Sequence, residues 1–333
     1  MPAVHSGKGE DMKKGIIGTF VILFCALQFS FAQGHHDQTS PFTLKKLTDN
    51  VYALYGKGGN IGFFVGPDAV CVVDSQYMEL APGIVDQIKS VTDKPIKYLL
   101  NTHHHPDHVG GNGYFIKFAI IIAHDNVRKH MLVSPQEILR DYPKELEAAK
   151  QKGQQDRVKY IEEQIEWAKK VKVEEIPAPF MTFDSEFRIY MGNETIDVWH
   201  TPPAHTDGDS VVYFEKAKVL HMGDVFFHKI IPFIDVEAGG SVPGYVSAID
   251  KVLGRVPADV TIIPGHGQVT DVAGLKEFRQ YMLDLSDLAQ KAKASGMSHD
   301  DFVSKSDLAA YKTWDGYADR FKDDLDAAYK TVQ

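Results

Sequence analysis

The sequence predicts a layered α/β fold carrying extra helices, and three observations predict it. Short β-rich runs give way to helical stretches, and this order is run through twice between Phe42 and Ile263. A charged helical region interrupts the order from Ser134 to Val171, and everything past Asp271 reads as helix. A chain of 333 residues with 44% apolar content buries a large core and lies outside the disordered range.

Taken in order, Met12, Lys13 and Lys14 precede an uncharged, mostly apolar run from Gly15 to Phe31, which ends at Ser30-Phe31-Ala32. That is the anatomy of a cleaved secretory signal, so the expectation is an exported protein, periplasmic or extracellular, cleaved near Ala32, with either Met1 or Met12 as the biological start. A membrane anchor needs roughly 20 apolar residues, and this run is shorter, so no lasting membrane insertion is expected. Cys25 would leave with the signal. Cys71 then remains alone inside a strand-like apolar run, where a thiol is a small hydrophobe. His35 and His36 fall in a mature N-terminus that carries no other chemistry.

Phe42 to Leu47, Val51 to Tyr55, Ile61 to Val65 and Ala69 to Val73 read as a meander of strands broken by Gly and Asn. A helix over Leu80 to Val91 follows, then strands Ile96 to Leu100 and Ala119 to Ala123. In the interruption, Ser134-Pro135-Gln136-Glu137 has the form of a helix start: cap, first-turn proline and capping-box acid. Val158, Ile161, Ile165 and Ala168 give it one apolar face, as a lid or as a plain cover. Strands resume at Phe187 to Met191, Thr195 to Trp199, Ser210 to Phe214 and Lys218 to His221. A helix near Tyr245 to Leu253 and a strand Val260 to Ile263 complete the second round. Beyond it, Val272, Leu275, Phe278, Met282, Leu285 and Ala289 step by three and four, and Tyr317, Phe321, Leu325 and Tyr329 by four. The last of these helices is a candidate homodimer contact. The expected organisation is an extension with signal over 1–32, a main domain over 33–271 with its insertion at about 134–175, and a helical extension over 272–333.

Net charge is -9 with both signs interspersed, which excludes a nucleic-acid partner, since phosphates demand clustered Lys and Arg. The chemistry concentrates in Asn101-Thr102-His103-His104-His105-Pro106-Asp107-His108-Val109-Gly110-Gly111-Asn112, directly after a strand. In a loop leaving a strand, His103 and His105 point the same way while Asp107 and His108 turn toward a neighbouring position. Imidazole and carboxylate are the donors that a borderline cation such as zinc prefers. The glycines allow a tight turn beneath the cations.

The order H-x-H-x-D-H resembles the signature of the metallo-β-lactamase superfamily, and later segments are similar to the family's remaining loops. His205 in Thr201-Pro202-Pro203-Ala204-His205, Asp224 after Met222-Gly223, and His266 in Pro264-Gly265-His266-Gly267 match its third histidine, bridging carboxylate and final histidine. Asp74, ending its strand, matches the aspartate that props the His-rich loop. The resemblance spans about Phe42 to Gly267. It implies a four-layer αββα sandwich with a helical insertion and a C-terminal helical extension. It also implies a metal-dependent hydrolase with two zinc ions, iron or manganese being alternatives. His103, His105 and His205 would hold the first ion and Asp107, His108 and His266 the second, with Asp224 between them. His200 and His221 flank better candidates and are read as supporting residues, and His104 as pointing away.

Such a site implies a bridging hydroxide that attacks an ester, thioester, lactone or lactam carbonyl of a small molecule, with Asp107 also relaying a proton to the leaving group. The ligand set looks closest to hydroxyacylglutathione hydrolases (glyoxalase II) and lactonases. A zinc β-lactamase, a mono-iron enzyme like the persulfide dioxygenases, and a non-catalytic exported binding protein remain alternatives. His228, Lys229, Gly239, Gly240 and Ser241 follow the bridging Asp and read either as the edge of the pocket or as a solvated loop.

Overall fold

A computed structural model describes residues Ser40–Gln333 other than 152 and 154. The signal segment and the His35–His36 pair lie outside the described residues. The strands are β1 (Thr43–Lys46), β2 (Val51–Tyr55), β3 (Ile61–Val65), β4 (Val70–Val73), β5 (Ile96–Leu100), β6 (Ile120–His124), β7 (Met181–Phe183), β8 (Glu186–Met191), β9 (Glu194–His200), β10 (Ser210–Phe214), β11 (Val219–His221) and β12 (Thr261–Ile263). The helices are α1 (Ala81–Lys89), α2 (Pro106–Val109), α3 (Asn112–Phe115), α4 (Asp125–Gln151), α5 (Gln155–Lys170), α6 (Val242–Leu253), α7 (Val272–Ala294), α8 (His299–Lys305) and α9 (Tyr317–Thr331). No helix among the described residues is long and apolar enough to cross a membrane.

The strands form two sheets, one in the order β1-β2-β3-β4-β5-β6-β7 and one in the order β12-β11-β10-β9-β8. The first begins as an antiparallel meander and turns parallel from β4 to β7, while the second is antiparallel except for the β11–β12 pair. Side chains alternate across a strand, so a strand buried on both faces feeds two cores. Cys71 and Val73 of β4 face the layer between the sheets, where they meet Ile196, Val212 and Phe214 of the second sheet. Val70 and Val72 face the opposite way, toward Ile84 and Ile88 of α1. In β10, Val212 and Phe214 point inward, and Val211 and Tyr213 point toward α6 and α7. Helices, sheet, sheet and helices thus form the four layers.

Two elements depart from the sequence expectation. α4 begins at Asp125, nine residues before the predicted Ser134 start, and carries Pro135 and Pro143 inside it. Each proline removes one backbone donor, but Val127, Met131, Pro135 and Ile138 keep an unbroken buried stripe, and its packing carries the helix through. β7 was not foreseen because Met181-Thr182-Phe183 is short and mostly exposed, and its pairing with β6 makes it a strand. α4 and α5 form a helical hairpin, seated through Val127 and Met131 against Ala123, Ile176 and Ala178.

The C-terminal helices close the second face. Asp271 caps α7 through the amides of Ala273 and Gly274. Leu275, Phe278, Met282, Leu285 and Ala289 then pack in the same core as Phe321 and Leu325 of α9 and Trp199 and Leu220 of the second sheet.

Candidate metal centre

Five loops bring the predicted residues together, and each leaves the carboxyl end of a strand. Asp74 follows β4, the His103–His108 loop follows β5, His205 follows β9, Asp224 follows β11 and His266 follows β12. Parallel pairing of β4 with β5 and of β11 with β12 sets these ends side by side, the usual place for a site in a layered α/β fold. All seven predicted donors face one another. His103, His105 and His205 form one group, and Asp107, His108 and His266 another, with donor atoms within 4.8 Å of each other. Asp224 lies between them. Its Oδ2 is 3.5 Å from His205 Nε2, 3.9 Å from His103 Nε2 and 3.4 Å from His266 Nε2, and its Oδ1 is 3.0 Å from His108 Nε2.

The hydrogen bonds behind the rings decide which nitrogen each presents. His205 Nδ1 donates to the Phe233 carbonyl at 2.6 Å, leaving the Nε2 lone pair for the centre. His105 is reversed, with Nε2 donating to Asp235 at 2.9 Å and Nδ1 facing inward. Asp74 accepts from the Thr102 amide and hydroxyl, each at 2.8 Å, and from His108 Nδ1 at 2.7 Å. Because the Thr102 hydroxyl proton goes to Asp74, its oxygen accepts from His103 Nδ1 at 3.1 Å, and His103 Nε2 is left as a lone pair.

These donors fit a cation. His105 Nδ1 and His205 Nε2 are two lone-pair nitrogens 2.7 Å apart, which repel unless a positive charge lies between them. His103 Nε2 is buried and without a hydrogen-bond partner. Burial holds His103 well below the usual imidazole range and His205 at about 4, so both rings are neutral, as ligands must be. Around the second group burial is outweighed by charge. Asp224 and Asp107 lift His108 well above its ordinary value and His266 to about 9, while His108 and His266 hold Asp107 at about 2. Bound cations would take over the part those protons play.

Several supporting residues escaped the sequence reading. Asp235 stands 130 residues from the ring it orients, and no local pattern marks it. Asp209 accepts from the amides of Ala204, His205 and Thr206, bracing the His205 loop, and burial pushes its carboxyl up to about 7 against those donors. Thr206-Asp207-Gly208-Asp209 has the form of a side-chain-capped turn, a signal that was present and unused. Gly110 and Gly111 hold ordinary helical angles (φ -57° and -75°). Their reason is close approach: a Cβ on Gly111 would lie 2.3 Å from the Ser75 carbonyl. His104 stacks on His130, His200 bonds the Asp209 carbonyl and stacks on His124, and His221 bonds the Asn60 carbonyl.

A cleft of about 850 Å³ opens over the donors. Its lining combines apolar side chains, Phe227, Ile230, Pro232 and Phe233, with charged ones, Lys57, Asp315, Asp319, Arg320 and Asp323. The start of α9 therefore borders the centre. His228, Lys229, Gly239, Gly240 and Ser241 do not line it. Lys229 pairs with Glu277, and Ser241 caps α6. Among the described residues of the α4–α5 hairpin, none lines it either.

A family model described as the metallo-beta-lactamase superfamily matches residues 54–266. A metallo-beta-lactamase type 2 from Elizabethkingia meningoseptica is 22% identical over 283 residues, covering 82% of this chain and 96% of that one. An uncharacterised protein of Aquifex aeolicus is 29% identical over 109 residues, 33% of this chain and 51% of its own length. The solved structure of the stereoselective inverting sec-alkylsulfatase Pisa1 from Pseudomonas sp. superposes with a TM-score of 0.64 at 15% identity, covering 87% of this chain and 50% of that one. The chain thus spans about half the length of these last two proteins.

Proposed function

The chain belongs to the metallo-beta-lactamase superfamily, and from that premise we propose that it is a hydrolase that holds two zinc ions and cleaves an ester, thioester, lactone or lactam of a small molecule. The observation that carries this is the convergence of five imidazoles and two carboxylates, with the outward nitrogens of His103, His105, His108 and His205 tied back so that the inward ones face the centre. His103, His105 and His205 would hold the first ion and Asp107, His108 and His266 the second, with Asp224 shared. Such ions lower the pKa of a water from about 15.7 to roughly 7 and polarise a carbonyl oxygen. The chain's own part is orientation and proton handling. Asp235, Phe233, Thr102 and Asp74 fix the rings. Asp107, with 21% of its side chain exposed against 5% for Asp224, is the more open of the two carboxylates and the one that would pass a proton to a leaving group.

The cleft admits an amphipathic small molecule, its apolar part against Phe227 and Phe233 and its polar part toward Lys57 and Arg320. A lactam is favoured among these classes by the match to a metallo-beta-lactamase over 96% of that protein's length, and a thioester or lactone by the His108 and Asp224 ligand pattern. Export is supported by the signal-like Met12 to Ala32 pattern. The test is metal analysis coupled to turnover of a chromogenic ester, a lactone, a thioester and a cephalosporin. Two zinc per chain, with activity lost on chelation, is expected. One iron with oxygen consumption would replace this reading by the oxygenase. His103→Ala should lose first-site metal and turnover together; turnover retained by that variant would show that the ligands are misassigned.

A further inference from the structure

The β2–β3 loop crosses the second group of donors, and every backbone polar group of its last two residues is tied to a ligand-bearing loop or to a support of one. The Gly59 amide donates to the Asp107 carbonyl at 3.1 Å, and the Gly59 carbonyl accepts from Gln76 Nε2 at 2.7 Å. The Asn60 amide donates to the Gly265 carbonyl at 2.7 Å, and Asn60 Nδ2 bridges the carbonyls of Pro264 and Gly267 at 2.9 and 2.8 Å, so His266 sits inside a loop clamped at both ends. His221 Nδ1 accepts from the Gly223 amide, so its Nε2–H donates to the Asn60 carbonyl at 2.9 Å. This link reaches the turn that carries Asp224.

Asn60 is 4% exposed, and Gln76 and His221 are fully buried. The backbone at Gly59 is itself a wall of the second site, since a Cβ there would lie 2.3 Å from His108 Nε2. The first group is held otherwise: His105 by Asp235, His205 by the Phe233 carbonyl, and His103 by Thr102. None of those contacts passes through the strap.

We infer that the Gly59–Asn60 strap, with Asn60 and Gln76 as positioning residues, sets the cation affinity of the second site far more than that of the first, an inference that rests on the two-metal reading above. The buried Asn60 amide ties the strap to the 264–267 loop and the buried Gln76 amide holds the strap itself, while its backbone reaches the Asp107 loop; such groups cost conformational freedom and offer substrate nothing. Their consequence is to fix how far His266 and Asp107 stand from His108.

The experiment is a Co2+ titration of metal-free protein, followed by visible absorption, in two single-site backgrounds. His205→Ala leaves the second site to be read, and His266→Ala leaves the first. Asn60→Ala and Gln76→Ala should each weaken binding roughly 10- to 100-fold in the first background and less than about two-fold in the other. In the otherwise intact chain they should leave the first equivalent tight and weaken the second. Unchanged affinity in both backgrounds, or equal loss in both, overturns the inference while leaving the hydrolase reading intact. Failure of the unsubstituted chain to bind two equivalents defeats that reading, and the inference with it. Circular dichroism of the metal-free variants completes the test, because unfolding of both would assign the strap to stability alone and overturn its role at the metal.

Discussion

Asp74 holds both halves of the centre from one carboxylate, directly through His108 and by way of the Thr102 hydroxyl through His103. Its backbone lies at φ +65°, a region that costs a non-glycine residue about 1–3 kcal/mol, and the two hydrogen-bonded oxygens show what that conformation secures. Asp74→Asn puts an amide donor where acceptors are needed. It is expected to weaken both metal equivalents roughly 10- to 100-fold, measured by competition with a chelating dye. His266 supplies a second prediction. With a pKa of about 9 in metal-free protein, it is protonated at neutral pH and must shed that proton to become a ligand. Zinc uptake near neutral pH should therefore release a proton that His266→Ala does not release, as read by calorimetry in buffers of different ionisation enthalpy.

Helix α9 carries a buried acid. Asp324 is 1% exposed, accepts from the Tyr281 hydroxyl of α7 at 2.5 Å, and burial raises its carboxyl well above the ordinary range. A carboxyl whose pKa is higher folded than unfolded binds more protons in the native state between those two values, so stability falls as pH rises through that window. In metal-free protein this group contributes a loss of melting temperature from about pH 4 upward, where the unfolded chain first releases its proton, and the difference in melting temperature between the unsubstituted chain and Asp324→Asn should shrink as pH rises through that window. The helices also show where sequence patterns carry and where they stop. The stripes of α7 and α9 were legible, because apolar spacing of three and four is a local property of the chain. The start of α4 was not, because Ser134-Pro135 has every feature of a cap and only the packing of Val127 and Met131 beneath it shows the helix already under way.

In the whole molecule the C-terminal extension and the centre are one structure. Phe278 packs against Phe226, Phe227, Tyr245, Tyr281 and Trp314, and Phe227 stacks on His266. A chain ending at Asp271 would expose the outer face of the second sheet and lose the α9 wall of the cleft. Removing even one such aromatic costs about 3–5 kcal/mol against a domain stability of about 5–15, so the truncated chain should show no cooperative urea transition. The sequence by itself determined the twice-run order of β-rich and helical segments and the metal-type donors of the His103–His108 loop, because side-chain period and ligand chemistry are written in neighbouring residues, while the four layers and the candidate donors His205, Asp224 and His266 were implied by the family resemblance. Tertiary structure alone decided which nitrogen each ring presents, that Asp235 and Asn60 support the centre, and that α9 borders it. Those contacts join residues as far as 207 positions apart, and a hydrogen bond at that distance leaves no local trace on either side chain.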